Sequence, residues 1–196
     1  MVTSTRPAEG KSTTSFAIAS VLARTGKRVV IVDADMRSPS VHGFFDMENE
    51  AGFSDYLTSQ GDIDSLVRET GIANLWLLSA GRTPPSAAEL LSSDKPREFI
   101  EALAEKFDHV VVDAPPLLGL ADAPLVARAV SATVFVVEAN GAPGRAINAS
   151  LDRLRAAETA LLGIVFTKFS GEAIDSYGYG YGYGYGLKYG ANTEAA

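Results

Sequence analysis

Met1-Val-Thr-Ser-Thr-Arg-Pro-Ala-Glu-Gly-Lys-Ser-Thr-Thr14 is the stretch on which the reading of this chain turns. Gly10-Lys11-Ser12 has the form of a phosphate-binding loop feeding a helix that begins near Lys11. In such a loop, backbone N–H groups and the positive end of the helix face a polyphosphate. The lysine reaches the outer phosphates and the serine hydroxyl goes to Mg²⁺. The pattern G-x-x-x-x-G-K-S/T is incomplete, because Thr5 stands at the first glycine position. Context supports it nonetheless: the β-type Val2-Thr-Ser4 precedes the loop, and an amphipathic stretch from Thr13 to Ala23 follows. The bland alternative is a capped surface helix that binds nothing.

Outward from the loop, composition sets bounds. A chain of 196 residues is one domain with room for a single core. Its net charge of -7 opposes a non-specific grip on nucleic acid or an anionic membrane. With no cysteine there is no disulfide framework and no thiolate metal site, which suits a reducing cytoplasm. No apolar run approaches the roughly 18 to 20 residues that span a bilayer. Membrane association is therefore expected only through a partner.

The strand before a phosphate loop is usually central, and strands average about five to six residues. Val2–Ser4 thus reads as the end of a strand whose beginning is missing. The helix Lys11–Arg24 stops at Gly26. Arg28–Asp33, Leu75–Leu78, His109–Asp113, Ala132–Glu138 and Leu162–Thr167 read as further strands, short and apolar as buried parallel strands are. Short helices are expected at Gly52–Ser59, Ile63–Val67 and Ser86–Leu91, with longer ones at Asp94–Phe107 and Arg145–Glu158. Alternation of strand and helix implies an α/β fold: a doubly wound, mostly parallel sheet. Residues 1–170 form that domain. From Gly171 onward, alternating tyrosine and glycine oppose helix and stable strand alike, so residues 171–196 are expected to form a flexible, disordered tail.

Two strands end in aspartate: Val32-Asp33-Ala34-Asp35-Met36-Arg37 and Val112-Asp113-Ala114-Pro115-Pro116. In open α/β sheets ligands sit beyond the carboxyl ends of the strands, beside the phosphate loop. Three carboxylates meeting a lysine, a serine and loop amides describe a nucleotide–Mg²⁺ site. Aspartate also ends strands simply to make turns, but a pair beside such a loop favours the site. Asp122 is expected to cap a helix at Ala123–Val130. Arg37 has two readings, a pair with Asp35 or a phosphate contact. His42 and His109 have no partner at ligand spacing.

With these residues in place, the chain resembles the bacterial tyrosine kinases of capsule and exopolysaccharide synthesis, deviant Walker members of the P-loop NTPase type. Thr3-Ser-Thr-Arg-Pro-Ala-Glu-Gly-Lys-Ser-Thr-Thr14 is similar to their Walker A motif. Ile31-Val-Asp-Ala-Asp-Met-Arg37 is similar to Walker A′, and Val110-Val-Val-Asp-Ala-Pro-Pro116 to Walker B. Pro84-Pro-Ser-Ala-Ala-Glu-Leu-Leu-Ser-Ser93 and the tyrosine-rich end complete the set. The resemblance implies ATP-dependent autophosphorylation, one subunit's tail entering a neighbour's site. It puts Glu9, Gly10, Lys11, Ser12 and Thr13 on ATP, with Lys11 and Asp33 catalytic. Ser12, Asp35 and Asp113 go to Mg²⁺, the aspartates through its water shell. Tyr177, Tyr179, Tyr181, Tyr183, Tyr185 and Tyr189 become phosphoacceptors. The implied partners are copies of the chain in a ring and a membrane polysaccharide co-polymerase that activates it. The implied location is the cytoplasm, at the inner face of the plasma membrane through that partner.

Departures from the family pattern are specific. The basic Glu-x-x-Arg-x-x-Arg helix used in ring assembly would precede Met1, which weakens the expected ring. Thr167 stands where the family has an asparagine near the nucleotide base. Two rivals remain from the sequence. A partitioning or septum-positioning ATPase would carry a signature lysine five residues before Lys11, where this chain has Arg6. A nucleotide-binding module without catalysis would bind ATP and transfer nothing.

Overall fold

The computed structural model describes residues 1–59 and 61–169. The tail and its six tyrosines, Tyr177 to Tyr189, lie outside the described residues. Within them, seven strands form one sheet: β1 (Val2–Ser4), β2 (Val29–Asp33), β3 (Arg68–Glu69), β4 (Leu75–Leu78), β5 (His109–Asp113), β6 (Ala132–Glu138) and β7 (Ala160–Thr167). Their order across the sheet is β3-β4-β2-β5-β1-β6-β7. Every pairing is parallel except β3 with β4. The expected strands are all present, β7 beginning two residues earlier than Leu162.

Periodicity explains the layering. All five residues of β2 are buried, as in a strand covered on both faces. Val29 and Ile31 pack with Ala19 and Ala23 of helix α1 (Lys11–Arg24) on one side. Val30 and Val32 pack with Phe53, Phe99 and Leu103 on the other. Phe53 belongs to α2 (Phe53–Leu57), which is followed by α3 (Ile63–Leu66) and α4 (Ala87–Leu91). Phe99 and Leu103 belong to α5 (Lys95–Lys106). On α1 the buried positions Lys11, Ser15, Ala19 and Ala23 recur every fourth residue. One helix face therefore carries the loop's lysine at one end and small residues against the sheet along the rest. The chain continues through α6 (Asp122–Ala127) and α7 (Gly144–Ala156) to β7.

β1 lies between β5 and β6 in the sheet. Val2 pairs with Asp113 of β5 and with Val134 of β6, and Thr3 and Ser4 continue the β6 register. Beyond the strand, Leu117 N–H donates to Ser4 O and Leu118 N–H to Thr5 O, so the segment after β5 follows the phosphate loop. The carboxyl ends of β1, β2 and β5 thereby open into one place. Two elements were not foreseen: the two-residue edge strand β3 and a 3₁₀ turn at Val41–Phe45 directly after β2.

Candidate active site

Residues Thr5 to Gly10 form the loop between β1 and α1. Gly10 caps the helix at φ 93°, a left-handed conformation that disfavours a side chain. A Cβ there would also meet Thr167 Cγ2 at 3.2 Å, and the Thr167 hydroxyl donates to Glu9 O at 2.6 Å. The threonine thus ties the end of β7 to the loop. Glu9 is buried, and its Oε2 accepts the N–H groups of Thr5 at 2.8 Å and Arg6 at 3.0 Å. Its carboxylate shapes the loop from within, which leaves its main chain to face a ligand.

The start of α1 meets the requirements for an anion. No side chain caps it, and its first turn carries no acidic residue. The first N–H groups of a helix have no partner within the helix and carry partial positive charge. Gly10, Lys11, Ser12 and Thr13 line a cleft of about 570 Å³ together with Asp35, Ser40 and Lys168. That volume accommodates a ligand of nucleotide size.

Behind the cleft, two carboxylates meet the side chain of Lys11. Lys11 Nζ lies 2.9 Å from Asp35 Oδ2 and 3.5 Å from Asp113 Oδ2. The Ser12 hydroxyl donates to Asp113 Oδ2 at 2.7 Å and sits 3.0 Å from the Ser40 hydroxyl. Ser15, one turn further along α1, donates to Asp113 Oδ1 at 2.8 Å. The motif reading did not single out Ser15, although a serine four residues after the lysine on the buried face was the available signal.

Asp33 is held differently. Its Oδ1 accepts Asp35 N–H at 3.1 Å, and its Oδ2 accepts the N–H groups of Ser40 and Val41 at 2.9 and 3.0 Å. It is fully buried behind that turn. Burial, and then the charge of Asp113, push its carboxyl up to about 7, while the three N–H groups pull the other way. Burial likewise raises the Asp113 carboxyl, against the pull of Lys11, Ser12 and Ser15. For Lys11, burial works to strip the proton, but Asp113, Asp35 and Asp33 together outweigh it, so its pKa is raised and it stays an ammonium.

The donor set suits Mg²⁺. A serine hydroxyl and two carboxylates offer hard oxygens, although no group of three or more acidic or histidine side chains among the described residues is placed to hold a metal ion by itself. An ion that keeps its waters and completes its shell with phosphate fits such a site. One expectation is corrected here. Asp122 makes no side-chain cap for α6, which spans Asp122–Ala127 instead of Ala123–Val130. Its carboxylate is buried and takes Arg37 in a two-pronged pair, Nε at 2.6 Å and one terminal nitrogen at 3.1 Å. A guanidinium fork matches a carboxylate better than a lone N–H does, and this settles Arg37 on Asp122 over Asp35.

The chain is similar to known proteins over most of its length. A family model described as an AAA domain matches residues 3–141. The chain is 34% identical over 179 residues to tyrosine-protein kinase YwqD of Bacillus subtilis, covering 91% of this chain and 76% of YwqD. It is 31% identical to tyrosine-protein kinase etk of Escherichia coli K12, of which it spans 25% while 91% of this chain is covered. The structure matches the kinase domain of Escherichia coli tyrosine kinase ETK with a TM-score of 0.84 at 31% identity, covering 93% of this chain and 72% of that one. The septum site-determining protein MinD of Pyrococcus horikoshii, complexed with Mg-ADP, matches at 19% identity with a TM-score of 0.70, covering 89% and 74%, and shares the fold. With its motifs in order and such identity over nine-tenths of its length, the chain belongs to the bacterial tyrosine kinase family.

Proposed function

We propose that this protein is an ATP-dependent protein-tyrosine autokinase that transfers the γ-phosphate to tail tyrosines of a neighbouring subunit. The observation that carries the reading is the shared oxygen of Asp113. Lys11 and Ser12, the two phosphate-loop side chains, meet on it with Asp35 alongside. Residues 1–170 serve as the kinase unit and residues 171–196 as the acceptor tail. Tyr177, Tyr179, Tyr181, Tyr183, Tyr185 and Tyr189 are the phosphoacceptors.

The roles follow from what each group can do. The amides of Glu9 to Thr13 bind the phosphates, and Lys11 exchanges Asp35 for the outer phosphates, neutralising them. Ser12, with Asp35 and Asp113 through water, would hold Mg²⁺, which supplies charge neutralisation on the transferring group. The transfer proceeds through a loose transition state, so alignment counts for more than base strength. Asp33 accepts the phenolic proton. Its pKa near 7 is close to the working pH, as a general acid–base group requires. The Ser40–Val41 turn must move for it to reach the hydroxyl.

By family likeness, the product regulates exopolysaccharide or capsule synthesis. Its partners are other copies of the chain and a membrane co-polymerase that holds it at the inner face of the membrane. No described helix is long and apolar enough to cross a membrane. The septum-positioning alternative is less well supported. At the position of the signature lysine stands Arg6, which donates to Gly141 O at 2.6 Å. Incubation with ATP–Mg²⁺ followed by phosphotyrosine detection tests the proposal: signal in the wild type and none in Lys11→Met supports it, and ATP hydrolysis without phosphotyrosine refutes it.

A further inference from the structure

Beyond Ser12 the cleft ends in an exposed aromatic ring that none of the motifs explains. Phe44 sits in the 3₁₀ turn Val41–Phe45, is 41% exposed, and lines the cleft with Lys11, Ser12, Asp35 and Ser40. Two tethers fix its place. The Ser40 hydroxyl, at the start of that turn, is 3.0 Å from the Ser12 hydroxyl. Phe16, one helical turn after Ser12 on the same face, stacks on Phe44 with centroids 5.0 Å apart and planes 10° from parallel. Phe45 braces Phe16 edge-on at 5.4 Å. An isolated exposed phenylalanine needs no explanation. This one is stacked on a second ring and leaves part of its surface open in the cleft lining.

We infer that Phe44 is an aromatic shelf that receives the ring of the acceptor tyrosine and so helps select tyrosine over serine or threonine. The inference rests on the tyrosine-kinase reading above and specifies its acceptor site. Ala8, Lys168, Gly10–Ser12, Asp35, Ser40 and Phe44 all line the one cleft. With Lys11 serving the outer phosphates, as proposed above, Phe44 shares a cleft with the group to be transferred. The acceptor's chemistry agrees. Tyr177–Gly186 contains no charged residue, so ion pairs cannot recognise it before transfer. Rings repeated at every second residue are its one strong handle, and offset-stacked or edge-to-face packing is what such rings favour.

The test uses the full chain and a synthetic peptide of the sequence Ser176–Gly190, with ATP affinity measured separately by calorimetry. Phe44→Ala is expected to raise KM for the peptide about tenfold, with kcat within about twofold and ATP affinity unchanged. Phe44→Leu, which keeps apolar bulk and guards against misfolding, should fall between, and Phe44→Trp should restore the wild-type KM. An unchanged peptide KM in both Phe44→Ala and Phe44→Leu overturns the shelf. So does a parallel loss of ATP affinity, which would make Phe44 a support for the nucleotide base. Binding of fluorescent peptide with ADP–Mg²⁺ present requires no transfer. A wild-type chain that binds this peptide through Phe44 yet never phosphorylates it supports the shelf and refutes the kinase reading.

Discussion

The Lys11 ammonium lies 3.5 Å from Asp113 Oδ2, joining the start of α1 to the end of β5 at a point where Asp113 is fully buried. Lys11 is thus both a ligand-binding group and the counter-charge for a buried acidic cluster. Lys11→Met should abolish phosphotyrosine formation and also destabilise the fold by about 2–4 kcal/mol at pH 8, since breaking a buried pair strands its partner. The sign with pH follows. Without the ammonium, Asp113, whose carboxyl burial already raises, regains neutrality by binding a proton, so the penalty shrinks as the pH falls. Urea unfolding of both proteins as a function of pH checks this.

Asp33 gives a second pH dependence. Its carboxyl is near 7 in the folded chain against 3.8 as its ordinary value, so the folded state holds the extra proton between those limits. Stability from this group therefore falls as pH rises through that window and is level above about pH 8. Relative to Asp33→Asn, the wild type should lose on the order of a few kcal/mol from pH 4 to 8. The same group should impose an acidic limb near pH 7 on kcat/KM. A flat stability difference together with no such limb would remove Asp33 from both roles.

Ser15 holds Asp113 from the opposite side of Lys11. Its one hydroxyl proton goes to Asp113 Oδ1 at 2.8 Å, although Lys11 O is also within 3.0 Å, because the ionised oxygen is the stronger acceptor. Ser15→Ala leaves that oxygen without a donor and should cost about 1–3 kcal/mol. Thermal unfolding measures this, and nucleotide affinity should change less than in Ser12→Ala.

The Arg37–Asp122 pair ties the segment after β2 to the start of α6. Arg37→Ala strands a buried carboxylate, whereas the double change Arg37→Ala with Asp122→Asn does not. Because Arg37 is half-exposed, solvent softens the loss. The single variant should lose about 1–2 kcal/mol and the double variant should recover most of it, as read from a double-mutant cycle. Asp35 stands two residues before Arg37, so the single variant should also lower kcat.

Where the sequence was legible, one local signal was enough. Arg28–Asp33 and Ala132–Glu138 are short apolar runs of the kind a sheet covered on both faces buries, and Gly10-Lys11-Ser12 marks residues that line the cleft. What stayed hidden depends on contacts between distant residues. Asp122 looks like a helix cap because nothing local shows that Arg37 arrives from 85 positions away. β3 has two residues and exists because β4 offers it an edge. The turn Val41–Phe45 follows from the N–H groups of Ser40 and Val41 closing on Asp33, a bond invisible to periodicity.

The most direct measurement is intermolecular transfer itself. Full-length chain carrying Lys11→Met, with its tail intact, is mixed with wild-type chain whose six tail tyrosines are replaced by phenylalanine, and supplied with labelled ATP and Mg²⁺. Label on tyrosines of the Lys11→Met chain, dependent on the wild-type partner, is the expected result. ATP turnover with no label on either chain would contradict the account.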